Sequence, residues 1–181
     1  MYAKPATSFN KDLNKKFEQN IFSIAEEVYA NDDERIDLVI FLNGFAIISF
    51  ELKCNASGQN YENAIKQYRN ERDPESRLFR FKAGCIVNFA MDLEEAYMTT
   101  KLNHGATYFL PFNRGKGTGV NVGKGNPLNP DGFGVSYMWE DILTKETILE
   151  LLSKFVFLER IEKKDGKGKK KIKETVIFPR Y

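Results

Sequence analysis

The densest apolar stretches lie between Ile36 and Phe50, in two strand-length blocks, Leu38 to Leu42 and Phe45 to Phe50, parted by Asn43-Gly44. An Asn-Gly pair between two such blocks predicts an antiparallel hairpin with a two-residue turn. Elsewhere the apolar positions recur with a helical period. Leu13, Phe17 and Ile21, following Thr7-Ser8-Phe9-Asn10, predict a helix over about residues 9 to 20. Ala64, Ile65 and Tyr68 predict another from Gln59 to about Arg72, stopped by Asp73-Pro74, and a last one runs from about Lys145 to Phe157. Phe22 to Tyr29 reads as a strand closed by Asn31-Asp32-Asp33, Lys82 to Ala90 as a buried strand, and Glu95 to Leu102 and Thr107 to Phe112 as shorter ones. Asn113 to Phe133 is a Gly/Asn/Pro loop without a period. Helix, three strands, helix and further strands predict an α/β fold, a mixed central β-sheet flanked by helices.

Composition narrows the class without choosing a function. A chain of 181 residues is sized for one domain with its own core. Its 27 Lys+Arg against 25 Asp+Glu are nearly balanced, so net charge does not by itself point to nucleic acid. No apolar run is long enough for a membrane helix and no signal-peptide core precedes Phe9, so a soluble, cytoplasmic protein is expected. Cys54 and Cys85 have neither metal-site nor disulfide-framework spacing, which suits a reducing compartment; both read as buried or incidental thiols.

The chemistry sits on the hairpin. Side chains alternate across a strand, so Glu51 and Lys53 project from one face while Leu52 points to the other. The Asn43-Gly44 turn folds Asp37 back to near the level of Glu51. Two carboxylates and an ammonium at one spot are the minimum set for a Mg²⁺-dependent phosphodiesterase. Specificity comes from placement, because a Glu-x-Lys triplet alone arises by chance about once in a chain this rich in charge. Charged residues ending the apolar strand Ala46 to Phe50 need a partner, since desolvating a charge is costly. A structural salt bridge between Glu51 and Lys53 answers that need as well as a metal site does.

At these residues the chain also resembles a known family. Ile-Asp-Leu-Val-Ile-Phe-Leu-Asn-Gly from Ile36, Glu51-Leu52-Lys53, and the Ala-Ile-Lys-Gln-Tyr-Arg helix with Arg72-Asp73-Pro74 look like the N-terminal nuclease domain of type I restriction enzyme R subunits. Arg80-Phe81-Lys82, Tyr97 to Leu102, Phe109 to Asn113, Gly125 to Pro130, Tyr137 to Glu140 and Ile177 to Tyr181 continue the likeness through nearly the whole chain. The resemblance implies a restriction-endonuclease-like PD-(D/E)xK core, a type I site-specific deoxyribonuclease acting on double-stranded DNA in phage defence. In it Asp37 and Glu51 would bind Mg²⁺, with the Leu52 carbonyl as a further ligand, and Lys53 would assist the attacking water. Methylation and specificity subunits are the implied partners, and ATP is implied only in a motor domain that such subunits carry beyond this chain. On that reading residues 1–158 are the nuclease domain and 159–181 a basic linker toward the motor, and the isolated domain is expected to cut weakly or undetectably, without sequence preference. Gly115-Lys116-Gly117-Thr118 lacks the spacing of a phosphate-binding P-loop, so no ATP site is assigned here.

Three residues are accessory candidates. Many of these nucleases carry a Gln four residues before a Tyr on the helix after the Lys strand; Tyr68 fits, Ala64 stands where the Gln would be, and Gln67 is the nearest substitute. Glu18 is the candidate for a first-helix carboxylate, against the alternative of a solvated face residue. His104, in Leu102-Asn103-His104-Gly105, reads as a surface turn residue, and Trp139 with Tyr137 as core or an interdomain contact. The run Lys163 to Lys173 reads as a flexible connector, with phosphate contact as a second role. Two other readings stay open: a repair or recombination nuclease with the same core, or a noncatalytic DNA-binding or docking module.

Overall fold

Asn43 and Gly44 both take left-handed backbone conformations, φ 51° and 84°, as a type I′ hairpin turn requires, and they join β2 (Arg35–Leu42) to β3 (Phe45–Leu52). The computed structural model in which this is seen describes residues 1–116, 124–164 and 170–180. β1 (Phe22–Tyr29) pairs antiparallel with β2 on its outer side. β4 (Val87–Met91) lies parallel to β3. Parallel neighbours need a crossover, and α2 (Tyr61–Asn70) with the turns after it supplies one. β5 (Ala96–Thr99) and the short β6 (Leu110–Pro111) complete a mixed six-stranded sheet in the order β1-β2-β3-β4-β5-β6.

Both faces of this sheet are covered. On one, Phe17 of α1 (Lys11–Glu18) and Ile148 and Leu149 of α3 (Lys145–Glu150) share a core with Ile40, Ile48, Phe50 and Phe89. On the other, Ala64 and Tyr68 of α2 pack with Val39, Phe79 and Ala90. Phe89 is the hub of the first core, its ring 5.4 Å from Phe50, 5.1 Å from Phe112 and 6.4 Å from Phe178. Burying a side chain of that kind contributes about 1.5–3 kcal/mol. The result is the α/β sandwich with a mixed sheet that the apolar pattern predicts.

Three segments depart from expectation. The strand expected from Lys82 begins only at Val87, because Lys82 sits at φ 66° and Gly84 packs where a Cβ would run into the Leu78 carbonyl. The last helix ends at Glu150 and widens into a π-helical turn over Leu151–Phe155, with a second such turn at Met138–Ile142. In the Gly/Asn/Pro loop, the N–H groups of Gly115 and Lys116 donate to the carbonyls of Gly125 and Lys124 at 2.9 and 3.0 Å; Gly117 and Thr118 lie outside the described residues. The described ends of the basic run, 163–164 and 170–173, are strand where a flexible connector is expected. β7 (Phe157–Lys164) and β8 (Lys170–Ile177) form a separate two-stranded sheet, and the rest of the run, 165–169, lies outside the described residues. The hairpin is anchored at its base by the Thr100 hydroxyl, which donates to the Val176 carbonyl at 2.7 Å, by a 2.5 Å ion pair between Lys82 and Glu174, and by buried Phe178. Among the described residues no helix is long and apolar enough to cross a membrane.

Candidate active site

Leu38, Ile40, Ile48 and Phe50 pack in or against the core on the α1 and α3 side, so strand alternation turns Asp37, Ser49 and Glu51 toward α2. Leu38 pairs with Phe50, and continuing that register by one residue sets Asp37 opposite Glu51. Lys53 follows two residues on, its own N–H donating to the Met91 carbonyl at 2.9 Å and so prolonging the β3–β4 ladder. Asp37 Oδ2 accepts the Leu52 N–H at 2.7 Å and lies 3.7 Å from the Lys53 ammonium.

Glu51 has no solvent exposure, and its partner is not Lys53. The Arg72 Nε–H, two residues beyond the end of α2, donates to Glu51 Oε1 at 2.7 Å, while Nη2 of the same guanidinium donates to the Arg35 carbonyl at 3.0 Å. The expected alternative of a Glu51–Lys53 salt bridge is thereby replaced. The two carboxylates take one cation each, Lys53 on Asp37 and Arg72 on Glu51. Burial pushes the Glu51 carboxyl up to about 7; the Arg72 hydrogen bond and charge pull it down, the Asp37 charge adds to the rise, and Lys53 lowers it.

Glu51 Oε2 is buried with no hydrogen-bond donor among the described residues. Such an acceptor is costly to leave unmatched, and a cation beside it would supply the missing interaction. Asp37 and Glu51 are hard oxygen donors of the kind Mg²⁺ takes, so the donor set fits a divalent ion; together with Lys53 and Arg72 the four side chains carry a formal charge of zero. Among the described residues no cluster of three or more His, Cys, Asp or Glu side chains offers an alternative metal site.

The accessory candidates fall elsewhere. Glu18 is 73% exposed and pairs with Lys145 at 3.7 Å, in the α1 and α3 layer on the far side of the sheet from Asp37 and Glu51, so it is a surface residue. Tyr68 is fully buried, with its hydroxyl 2.9 Å from Ser49 Oγ. Because Ser49 gives its proton to Asn88 Oδ1 at 2.7 Å, Tyr68 is the donor in that pair. Burial, followed by the nearby Glu51 charge, raises the Tyr68 pKa well above its ordinary value. Its hydroxyl therefore braces β3 from the α2 side, the face to which Asp37 and Glu51 also turn. Ala64, where the patterned Gln would stand, is sealed against the sheet, and Gln67 is half-buried one position further round α2, while Asp37, Glu51 and Lys53 bond to Leu52, Arg72 and one another. His104 is an exposed turn residue at φ 45°, Tyr137 is buried, and Trp139 is half-exposed against Phe133. Cys54 is exposed and Cys85 buried.

Residues 9–106 match a protein-family model described as Type I restriction enzyme R protein N terminus (HSDR_N). The chain belongs to that family. The matched span holds Asp37, Glu51, Lys53 and Arg72, so the whole of the candidate site lies inside the R-protein region. No curated protein and no solved structure matches the chain.

Proposed function

We propose that this R-protein domain is a Mg²⁺-dependent endonuclease that hydrolyses phosphodiester bonds of double-stranded DNA in a cytoplasmic type I restriction complex. The observation that carries the reading is Asp37 and Glu51 side by side on adjacent strands, with Lys53 3.7 Å from Asp37 and Glu51 Oε2 lacking a donor. A noncatalytic module has no need to bring these three groups together, and the R-protein family disfavours a repair nuclease.

Asp37, Glu51 Oε2 and the Leu52 carbonyl would hold Mg²⁺, which when bound polarises the scissile phosphate and lowers the pKa of a coordinated water. Lys53 orients the attacking water through its N–H donors and offsets the negative charge that grows on the phosphate in the transition state. Asp37, fixed by the Leu52 N–H, keeps Lys53 in that position. A site of zero formal charge becomes net positive on taking up a divalent ion, which suits a phosphodiester anion. Choice of site would fall to the specificity subunit, with the methylation subunit as the other partner. ATP belongs to a motor domain outside this chain.

The test is nicking of supercoiled plasmid. Cutting that is slow with the chain alone, faster in the assembled complex, stopped by EDTA and lost in Asp37→Ala is the expected result. Nicking at the wild-type rate by Asp37→Ala would overturn the assignment.

A further inference from the structure

Arg72 has no role in the chemistry above, yet its placement is the most constrained in the site. Its side chain is only 5% exposed and its partner Glu51 is fully buried. Arginine ordinarily meets a carboxylate with two parallel N–H bonds, one to each oxygen. Here the two arms diverge. Nε takes Glu51 Oε1 at 2.7 Å and Nη2 takes the Arg35 carbonyl at 3.0 Å, which leaves Oε2 without a donor. Arg35 lies two residues before Asp37 on β2, and Glu51 two before Lys53 on β3, so one planar group spans both strands just where the carboxylates face each other. The base of the arm is itself held: the Glu71 N–H donates to the Gln67 carbonyl at 2.9 Å, and the Asp73 N–H donates to the buried Glu34 carboxylate.

From this divergence we infer that Arg72 is a positioning residue for the metal site: it locks Glu51 by one oxygen and reserves the other for the ion, while fixing β2 against β3 so that Asp37 and Glu51 stand at ligand separation. The inference rests on the proposed Mg²⁺ site. A role in charge balance alone would be filled by lysine, which keeps the positive charge but has no rigid fork to hold two acceptors on two strands.

The experiment is calorimetric titration of Mn²⁺ into the wild-type chain, Glu51→Gln and Arg72→Lys, with thermal unfolding in EDTA to establish that each is folded. Wild type is expected to bind, Glu51→Gln to lose binding, and folded Arg72→Lys to bind about ten-fold or more weakly, the scale on which groups supporting a metal ligand act. Arg72→Lys with wild-type affinity beside a defective Glu51→Gln overturns the inference and leaves the metal site standing. Wild type and Glu51→Gln behaving alike overturns the metal site itself, and the inference with it. If Arg72→Lys does not fold, Arg72→Gln, which keeps one donor for Glu51 and gives up the second arm, is titrated in its place and judged by the same two outcomes.

Discussion

Replacing Lys53 by Ala is expected to slow DNA cleavage by about 10²- to 10³-fold, the loss seen when one preorganised donor to a developing oxyanion is removed. Lys53 is only 12% exposed and its ammonium lies 3.7 Å from Asp37, so it is held to act on what is bound beside that carboxylate. Affinity for DNA should stay close to wild type, because duplex binding is spread over many phosphates and a single cation is a small share of it. The measurement is single-turnover conversion of supercoiled plasmid to nicked circles with protein in excess, beside fluorescence anisotropy on a short duplex. A rate that falls only in proportion to weakened binding would make Lys53 a phosphate contact and not part of the chemistry.

Arg72→Ala is expected to cost the metal-free domain about 3–5 kcal/mol at pH 8, the range for breaking a buried ion pair from one side. It strips Glu51 Oε1 of its donor when Oε2 already has none, leaving a fully buried carboxylate unmatched. The penalty depends on pH with a definite sign. Glu51 titrates at about 7 in the fold, above its value in the unfolded chain, so between roughly pH 4.5 and 7 the folded state holds a proton that the unfolded state has released. Its contribution to stability is fully present below that window and is lost as pH rises through 7. Two consequences are measurable by thermal unfolding in EDTA. The gap between wild type and Arg72→Ala narrows from pH 8 to pH 5, as the stranded carboxylate becomes a neutral acid. Wild type also gains stability relative to Glu51→Gln over the same descent. A gap that stays constant across that range would show that Glu51 is ionised throughout and that its burial is compensated by other groups.

The hairpin could be read from sequence because its signals are local. Asn43-Gly44 dictates a left-handed two-residue turn, the apolar runs dictate strands, and strand alternation then decides which residues share a face with Glu51. Asp37, Glu51 and Lys53 could be picked out for the same reason. The identity of their partners could not, since Arg72 meets Glu51 from 21 residues away and at the end of a helix whose docking no local period encodes. The surroundings of the Tyr68 hydroxyl were hidden on similar grounds: helical spacing places it on one face with Ala64 but does not say that this face packs against β3. Glu18 needed the layer order, because only the packing of α1 and α3 together puts it beside Lys145 and across the sheet from the carboxylates. In the β7–β8 hairpin, the cross-strand pairs Phe157–Ile177 and Leu158–Val176 sit at the base of strands that are otherwise mostly charged, so a solvated composition masked a paired one.

Whether Asp37 and Glu51 together hold one divalent cation can be seen by anomalous diffraction from crystals of the domain grown with Mn²⁺. A peak is expected within about 2.5 Å of an Asp37 carboxylate oxygen and of Glu51 Oε2, with Glu51 Oε1 still on Arg72. Ordered density for all three side chains with no peak between the carboxylates at saturating Mn²⁺ would contradict it.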